Sequence, residues 1–168
     1  MNIVLEKWEL KDIPQFIDLM DRMDREFLSY QIPYPYTELD AHCRIETALK
    51  EEKHFVGMHR KIVVDGKIAG NISISRKSDI FCVDSEISYC LLPEYSGKGI
   101  MSEATKLICN HVFLKFPLLR ITGIVMEDHI ASRKILEKNG FVLEGIIKKA
   151  TYKLGKIHNL CYYAKFRE

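Results

Sequence analysis

The stretch that decides the fold of this 168-residue chain is EISYCLLPEYSGKGIMSEA, residues 86–104. An apolar strand ends at Pro93, and a long helix is predicted to start at Gly99. The first amides of a helix have no partner within the helix and carry partial positive charge, so they attract anions. Gly97 and Gly99 leave the backbone accessible and Lys98 adds a cation, which indicates a cradle for a diphosphate. A strand-to-helix connection that merely contains two glycines fits the same letters.

Other phosphate-binding and catalytic motifs do not match the sequence. The segment lacks the third glycine of a dinucleotide fingerprint and the Gly-Lys-Ser/Thr ending of a P-loop. The chain has no Gly-x-Ser-x-Gly elbow, and its six histidines include no His-x-x-x-His pair. Its five cysteines are widely spaced, which argues against a disulfide framework or a zinc site. We therefore expect no metal.

Hydrophobic periodicity around this segment predicts a mixed α/β sheet covered by helices. Strands are expected at 3–10, 54–64, 67–75, 83–92, 120–126, 141–152 and 156–166. Helices are expected from residue 13 and at 37–51, 99–115 and 130–138. Asp12 is placed to cap the first helix, Asn139-Gly140 is typical of a left-handed helix C-terminus, and Asp65-Gly66 and Leu154-Gly155 are hairpin turn signals.

Composition sets limits on the class of protein. An apolar share of 47% and a charged share of 29% are ordinary for a globular domain, and a net charge of +2 argues against a nucleic-acid partner. The amino terminus lacks the pattern of a signal peptide, and no apolar run approaches the roughly 20 residues of a membrane span. Without linkers or internal repeats, we expect one domain over residues 1–168, in the cytoplasm and without a membrane partner.

Residues 86–104 resemble the GNAT acetyltransferase superfamily, most closely the branch that contains the ribosomal-protein N-acetyltransferases RimJ and RimL. A second resemblance is HIASRKILEKNGFVLEG, residues 129–145, and a third is the ending 159–163. The first two stand at the family's spacing, and the resemblance covers nearly the whole chain. It implies a GNAT-like fold, a single domain with a mixed, mostly antiparallel sheet of six to seven strands, flanked by helices, whose central strand pair splays apart.

The resemblance also implies acetyl-CoA as cosubstrate, in the V between the strand that ends at Leu92 and the strand that begins at Arg120. Backbone groups of Leu91 and Leu92, at the end of the strand before the glycine loop, would bond the pantetheine arm. The amides of residues 96–102 would hold the pyrophosphate. The implied cofactor-binding residues are Leu91, Leu92, Ser96, Gly97, Lys98, Gly99, Ile100, Met101, Ser102, His129, Ser132 and Lys134.

Acetyl transfer to an amine needs a base for the ammonium proton, a donor for the oxyanion and an acid for the leaving thiolate. Strand alternation places Glu86, Ser88 and Cys90 on one face. If that face borders the substrate cleft, Glu86 acts as the base through water; otherwise it is a solvated carboxylate. Ser132 matches the serine that the RimJ/RimL branch places beside the CoA sulfur, where it would protonate the thiolate. Its alternative role is that of a small helix residue packed against the sheet.

Four positions depart from the family pattern, and a fifth matches it without indicating a catalytic role. Leu136 stands where many members have a tyrosine acid, which shifts that role to Ser132 or water. His129 replaces the usual asparagine, Ser96 an aromatic residue of the loop, and Asn159 an aspartate. Tyr163 matches the last-strand tyrosine, for which core packing is the favoured role.

The resemblance implies transfer of acetyl to a primary amine by direct attack in a ternary complex. The acceptor would be a protein N-terminal α-amine or a small-molecule amine. Tyr30, Tyr34 and Tyr36, in the loop between the first two helices, are candidates for a substrate wall together with Glu86, although the tyrosines could equally cover the sheet. A homodimer is compatible with the superfamily. The departures keep one alternative open, a non-catalytic acyl-CoA-binding or regulatory module of the same fold.

Overall fold

The computed structural model of the protein describes residues 1–54 and 56–168. Its strands are β1 (Ile3–Lys7), β2 (Gly57–Val64), β3 (Lys67–Arg76), β4 (Asp84–Leu91), β5 (Arg120–Met126), β6 (Val142–Lys153) and β7 (Lys156–Phe166). Its α-helices are α1 (Ile13–Asp21), α2 (Glu38–Lys53), α3 (Ile100–Lys115) and α4 (Ile130–Lys138). None of these described helices is long and apolar enough to cross a membrane.

The seven strands form one sheet in the order β1-β2-β3-β4-β5-β7-β6. Its neighbours run antiparallel, with the exception of the parallel pair β4–β5 in the interior of the sheet. A parallel pair requires a long crossover connection, and the loop after β4 together with α3 provides it. This mixed, mostly antiparallel sheet flanked by helices confirms the predicted fold class.

Two apolar clusters cover the two faces of the sheet. The cluster that includes α3 and α4 contains Ile72, Ile87, Ile108, Leu136 and Tyr163, with Tyr89 and Leu91 packed against it. The cluster that includes α1 and α2 contains Trp8, Phe16, Tyr36, Ile45 and Leu92, with Cys90 packed against it. Because side chains alternate along a strand, β4 contributes odd-numbered residues to the first cluster and even-numbered residues to the second face.

The predicted hairpin turns are confirmed. Asp65 and Gly66 have φ angles of 48° and 81°, and Leu154 and Gly155 have 48° and 78°. Two successive positive φ angles match the right-handed twist of the flanking strands, which is why such turns close tight hairpins. The left-handed helix end at Gly140, with a φ angle of 77°, is confirmed as well.

The amino-terminal boundary differs from the prediction. β1 ends at Lys7, earlier than expected, because a short 3₁₀ turn over Leu10–Asp12 follows it. Asp12 is the N-cap residue of α1, as predicted, but its side chain makes no capping hydrogen bond to this helix. Its carboxylate accepts hydrogen bonds from the Glu9 amide at 2.9 Å and from the Lys61 ammonium at 2.8 Å. It therefore stabilises the 3₁₀ turn and links that turn to β2.

The next two elements also shift. α2 begins after Thr37, whose hydroxyl accepts the Asp40 amide at 3.2 Å as an N-cap, and it continues to Lys53, two residues further than predicted. His54, expected in a strand, ends this helix with its amide bonded to the Lys50 carbonyl at 3.1 Å. The strand itself begins at Gly57, and residue 55 of the predicted strand lies outside the described residues.

Three successive basic residues of β2 are buried, a feature that periodicity did not reveal. Each of them meets a carboxylate from the segments that cover this strand, so every one of these buried side chains has a polar partner. The pairs are His59 with Glu51 at 2.5 Å, Arg60 with Glu52 at 2.7 Å and Lys61 with Asp12 at 2.8 Å. These contacts fix α2 and the 3₁₀ turn against β2.

Gly70 provides a test of the packing between β3 and β4. A Cβ atom at this position would lie 2.4 Å from the Cys90 carbonyl oxygen, so the backbone of one strand would have to move. We predict that Gly70→Ala lowers the free energy of unfolding by about 2–3 kcal/mol, measured by urea denaturation.

Gly145→Ala is the matched control, because a Cβ atom there meets nothing within 4 Å. Its stability should stay within about 0.5 kcal/mol of the wild type. Equal stability of the two variants would contradict the close approach at Gly70.

Candidate active site

The parallel strands β4 and β5 form a fork. They pair at three positions, Asp84–Arg120, Ser85–Ile121 and Glu86–Thr122. Beyond Glu86, β4 follows its antiparallel ladder with β3 as far as Leu91. Beyond Thr122, β5 follows its antiparallel ladder with β7 as far as Met126. The two strands therefore separate into a V that opens toward the carboxyl end of β4.

The inner edges of the V carry backbone groups that are free to bond a ligand. Each backbone residue carries an N–H donor and a C=O acceptor, and an edge without a ladder leaves part of them unpaired. In the described chain, the stretches 87–91 and 123–126 face each other across the V without pairing. An extended ligand that carries amides can lie between them and bond to either edge.

A buried acidic side chain holds the closed end of the fork. Asp84 accepts the Thr122 hydroxyl at 2.8 Å, so its carboxylate bridges β4 and β5. It also accepts the Lys77 ammonium at 2.6 Å, and the Arg120 guanidinium lies 3.4 Å away. Because these partners neutralise and bond the buried carboxylate, the three-residue junction is held together by side chains as well as by its ladder.

The loop that carries the predicted diphosphate cradle lies at the open end of the V. Leu92 bonds back to β3 through its amide, 2.8 Å from the Ala69 carbonyl, and a 3₁₀ turn over Pro93–Tyr95 follows. Gly97 and Gly99 have φ angles of 73° and 78°, which glycine adopts without strain. A Cβ atom at either glycine would meet nothing within 4 Å, so this side of the loop is open to a ligand.

Backbone donors of the cradle point to no partner among the described residues. The amides of residues 97–99 form no backbone or side-chain hydrogen bond there, and those of the first turn of α3 have no intrahelical acceptor. Ile100 and Met101 bury their side chains in the core, so their contribution to a ligand would come from the backbone. The Lys98 ammonium folds back onto the Glu94 carbonyl at 2.8 Å. Ser96 is exposed beside it.

Ser132 lies on the other wall of the fork, in the first turn of α4. Only 3% of this residue is exposed. Its hydroxyl lies 2.8 Å from the Tyr89 hydroxyl, which is also 3.3 Å from the Ser132 carbonyl oxygen. Burial raises the pKa of Tyr89 to about 12. Sequence reasoning missed Tyr89; its place on the α4 side of the cofactor strand was the available signal.

Glu86 lies at the point where β4 and β5 separate. It is exposed, and strand alternation places it on the face opposite Tyr89, the face covered by α1 and α2. The two predicted catalytic residues, Glu86 and Ser132, are therefore on opposite faces of β4. A reacting group inside the fork could be approached from both sides.

His129 precedes α4 and contacts the loop between α1 and α2. Its ring stacks on Phe27, with ring centroids 3.9 Å apart and planes 4° apart. Burial lowers the pKa of His129 from its ordinary value of 6.5, while Glu26, Asp128 and Asp24 act in the opposite direction. The contact with Phe27 was not predicted, since the two residues are about a hundred positions apart.

The loop over residues 22–37, here called the aromatic loop, reaches the β6–β7 hairpin. Lys153 donates to the Leu28 carbonyl at 2.6 Å and places its ammonium 3.8 Å from the centre of the Tyr30 ring. The Leu154 amide donates to the Tyr30 hydroxyl at 2.9 Å. The loop therefore spans from the α1–α2 side of the molecule to the tip of the hairpin.

The three predicted wall tyrosines occupy different environments. Tyr30 and Tyr34 are 65% and 66% exposed, and Tyr34 lies against the Arg25 guanidinium at 5.1 Å. Tyr36 is buried and packs beside Phe16, with ring centroids 5.7 Å apart. Tyr30 and Tyr34 are thus accessible from solvent, whereas most of Tyr36 belongs to the core.

Two of the positions that depart from the family pattern, Leu136 and Asn159, have structural partners. Leu136 is fully buried and covers Gly123, where a Cβ atom would lie 2.8 Å from its methyl group. Asn159 donates to the Glu127 carboxylate at 2.7 Å.

Tyr163 is fully buried and donates to Glu137 at 2.7 Å, consistent with core packing. Lys134 is exposed on α4.

Comparison with known proteins places the chain in a family. Residues 2–142 match the family described as the acetyltransferase (GNAT) domain. The chain belongs to this GNAT family, as the sequence resemblance predicted.

Individual relatives agree with this assignment. The protein named "Probable N-acetyltransferase YjcK" of Bacillus subtilis (strain 168) is 33% identical over 100 residues, which are 60% of this chain and 54% of that protein. The ribosomal-protein-serine acetyltransferase of Escherichia coli (strain K12) is 28% identical over 104 residues, 62% of this chain and 58% of the relative. The match thus spans little more than half the length of these two relatives.

The fold has a close structural counterpart. RimL, the ribosomal L7/L12 alpha-N-protein acetyltransferase solved in complex with coenzyme A, superimposes with a TM-score of 0.87 at 19% identity. The superposition covers 99% of this chain and 94% of that one, which supports the fold across the whole sheet. Within the described residues, no group of three or more His, Cys, Asp or Glu side chains is arranged to hold a metal ion.

The stack between Phe27 and His129 gives a test of the aromatic loop. Burial disfavours the charged imidazolium, whereas the nearby carboxylates favour it. Phe27→Ala removes apolar cover but leaves the carboxylates, so we predict that the pKa of His129 rises. An NMR titration of the imidazole carbon-bound protons measures this change.

Phe81→Ala is the control, since Phe81 is an exposed phenylalanine in the turn Asp79–Phe81 that precedes β4. It should leave the His129 titration unchanged. An unchanged or lower pKa of His129 in Phe27→Ala would contradict the stacked arrangement.

Proposed function

We propose that this protein is an acetyl-CoA-dependent N-acetyltransferase that acts on a primary amine. The observation that carries the proposal is the open fork between β4 and β5 with a glycine cradle at its mouth. Such a fork accepts an extended amide-bearing arm, and the cradle accepts a diphosphate at the start of α3. Acetyl-CoA combines these two groups with a reactive thioester.

The cofactor would be held along one continuous surface. Backbone groups of Leu91 and the carbonyl oxygen of Leu92 would bond the pantetheine arm. The amides of residues 97–102 would hold the pyrophosphate, with Ser96 beside them, because the Ser96 amide is bonded to the Pro93 carbonyl at 3.0 Å. His129, Ser132 and Lys134 would face the cofactor from α4 and the turn before it. Among these, Ser132 is the buried hydroxyl next to the fork.

The proposed reaction is direct attack of the amine on the thioester in a ternary complex. The amine lone pair forms the new C–N bond, the carbon–sulfur bond breaks, and its electron pair remains on sulfur. One N–H proton must leave to a base. Glu86 is the nearest candidate by position, because it sits where the fork opens and is exposed to water that could relay the proton.

Ser132 is better suited to hydrogen bonding than to full proton transfer. A thiol has an ordinary pKa of about 8.5, whereas an aliphatic hydroxyl is a far weaker acid. A thiolate therefore does not take the serine proton outright. We propose that Ser132 donates a hydrogen bond to the developing thiolate, which lowers the barrier through electrostatic stabilisation.

The acceptor end of the fork is suited to a cationic group. Asp24, Glu26 and Asp128 all act on His129 electrostatically, so three carboxylates lie near the stacked ring. These carboxylates would attract an ammonium group that approaches between the aromatic loop and β4, against the Arg25 and Lys153 cations on the Tyr34 and Tyr30 rings. Tyr30 and Tyr34, with Glu86, would form the acceptor wall, and Tyr36 would support it from the core.

A protein N-terminal α-amine is the favoured acceptor class, and a small-molecule amine is the second. The first is supported by the similarity to ribosomal-protein acetyltransferases. We further propose that residues 1–168 act as one cytoplasmic domain, as a monomer or a homodimer. Neither a nucleic acid nor a membrane is part of the proposal.

The experiment is an assay of thiol release from acetyl-CoA with a panel of peptide N-termini and small amines. Acceptor-dependent release, with acetylated product identified by mass spectrometry, is the expected result. Tight CoA binding without acceptor-stimulated release would favour the non-catalytic acyl-CoA-binding module instead. Stabilisation by ATP or NAD that exceeds stabilisation by CoA would overturn both.

The cradle is tested by Gly97→Glu. The new carboxylate would repel the pyrophosphate and cover the amides. Loss of two charge-assisted hydrogen bonds, at about 1.5 kcal/mol each, predicts roughly 100-fold weaker CoA binding by calorimetry.

Gly66→Glu is the matched control for backbone strain. Gly66 also has a positive φ angle, 81°, and open space around its Cα, but it lies in the β2–β3 turn. Its CoA affinity should equal that of the wild type. Wild-type affinity in Gly97→Glu would refute the cradle.

The proposed base is tested by Glu86→Gln. At neutral pH we predict that kcat/KM for the amine falls by about two orders of magnitude, because the ammonium proton loses its acceptor. The loss should shrink as the pH approaches the pKa of the amine, because the acceptor is then already deprotonated and only the N–H proton released after attack remains, which water can take. Glu46→Gln, an exposed carboxylate on α2 paired with Lys50 at 3.2 Å, is the control. A loss that is constant with pH would remove Glu86 from the base role.

A further inference from the structure

Tyr89 and Ser132 are in contact across the fork, and the proposed chemistry gives no role to this contact. Tyr89 lies on β4, three residues beyond the last pair with β5, and Ser132 lies on α4. Their hydroxyl oxygens are 2.8 Å apart. The contact therefore joins β4 to α4 at a level where β4 is no longer paired with β5.

The direction of this hydrogen bond follows from the acidity of the two groups and from their surroundings. A phenol is a stronger acid than an aliphatic hydroxyl, so it is the better donor. The Tyr89 hydroxyl also faces the Ser132 carbonyl oxygen at 3.3 Å, and that oxygen can only accept. The phenol has a single proton, and the contact to the Ser132 hydroxyl, at 2.8 Å, is the shorter of the two, so we assign that proton to the hydroxyl oxygen.

This direction determines where the serine proton can point. A serine near the start of a helix can turn its hydroxyl back to the carbonyl four residues earlier, which for Ser132 is that of Asp128. A hydroxyl that accepts from Tyr89 has its oxygen fixed, and its own proton is free for another acceptor. A hydroxyl that accepts a hydrogen bond also becomes a stronger donor, because neighbouring hydrogen bonds polarise each other.

We infer that Tyr89 is a positioning residue that orients the Ser132 hydroxyl as a hydrogen-bond donor toward the leaving sulfur. The inference rests on the proposed acetyl transfer and adds a residue to it. No proton is transferred in this step. The electron pair of the broken carbon–sulfur bond stays on sulfur, Ser132 donates a hydrogen bond to the sulfur, and Tyr89 donates a hydrogen bond to Ser132. Because only 3% of Ser132 is exposed, its hydroxyl has little access to bulk water in place of the phenol.

A competing explanation is that Tyr89 only fills space between β4, α3 and α4. Tyr89→Phe separates the two, because it keeps the ring and deletes the hydroxyl. The inference predicts that the single-turnover rate of acetyl transfer falls about tenfold, the effect of one net hydrogen bond, while CoA affinity and the KM for acetyl-CoA stay at wild-type values. Single-turnover conditions keep product release from hiding the change.

A double-mutant cycle tests whether Tyr89 acts through Ser132. In a Ser132→Ala background, Tyr89→Phe should cause no further loss of rate. A tenfold loss that persists without the serine hydroxyl would overturn the inference. So would a wild-type rate in Tyr89→Phe, or a loss that appears as weaker CoA binding.

Thr105→Val is the matched control for deletion of a buried hydroxyl. Thr105 is fully buried on α3, and its hydroxyl has no hydrogen-bond partner among the described residues. Its loss should not lower the transfer rate. If Tyr89→Phe does not fold, 3-fluorotyrosine at position 89 keeps the shape and strengthens the donor, so the rate should rise; a fall would overturn the inference.

The two proposals fail in different ways. If the wild-type protein transfers no acetyl group to any amine, the proposed function and this inference are both overturned. If the wild type is active and Tyr89→Phe retains its full rate, only the role of Tyr89 is overturned.

Discussion

The short parallel junction between β4 and β5 is the constraint on which the rest of the structure depends. Three residue pairs and the Asp84 network join the two strands at one end. Each strand then keeps its longer antiparallel ladder on the outer side, with β3 and with β7. Because outer ladders continue where the inner one stops, the strands must diverge. The fork is thus built into the pairing pattern of the sheet and does not need a ligand to open it.

The helices convert this fork into a site with two different walls. α3 begins directly after the glycine loop, and its buried first turn fixes the free amides at the mouth of the V. α4 is held on the other side by Leu136 over Gly123, a position where any larger residue would press on the helix. This close packing brings Ser132 within reach of Tyr89. The walls therefore differ in chemistry: backbone donors at the mouth, and a buried pair of hydroxyls deeper inside.

The aromatic loop links the proposed acceptor side to α4 and to the β6–β7 hairpin. Phe27 stacks on His129 beside α4, and Leu28 and Tyr30 bond the β6–β7 hairpin. A loop tied at both places has less conformational freedom to lose when an acceptor binds, so more of the contact energy is available for affinity. The same contacts explain why His129, a departure from the family pattern, is accommodated: its ring has an aromatic partner that replaces water on one face.

The sequence by itself determined the order of helices and strands, the two tight hairpins, the glycine loop before α3 and the family, because periodicity, turn residues and local motifs act over a few neighbouring positions. It misplaced the end of β1, the role of Asp12 and the start of β2, where the competing partner, such as Lys61 for Asp12, is distant in the chain. Only the tertiary structure decided that Ser132 meets Tyr89, that Phe27 covers His129 and that Tyr36 belongs to the core. These contacts join residues tens of positions apart, and their geometry depends on how the strands and helices pack together, which no local pattern encodes.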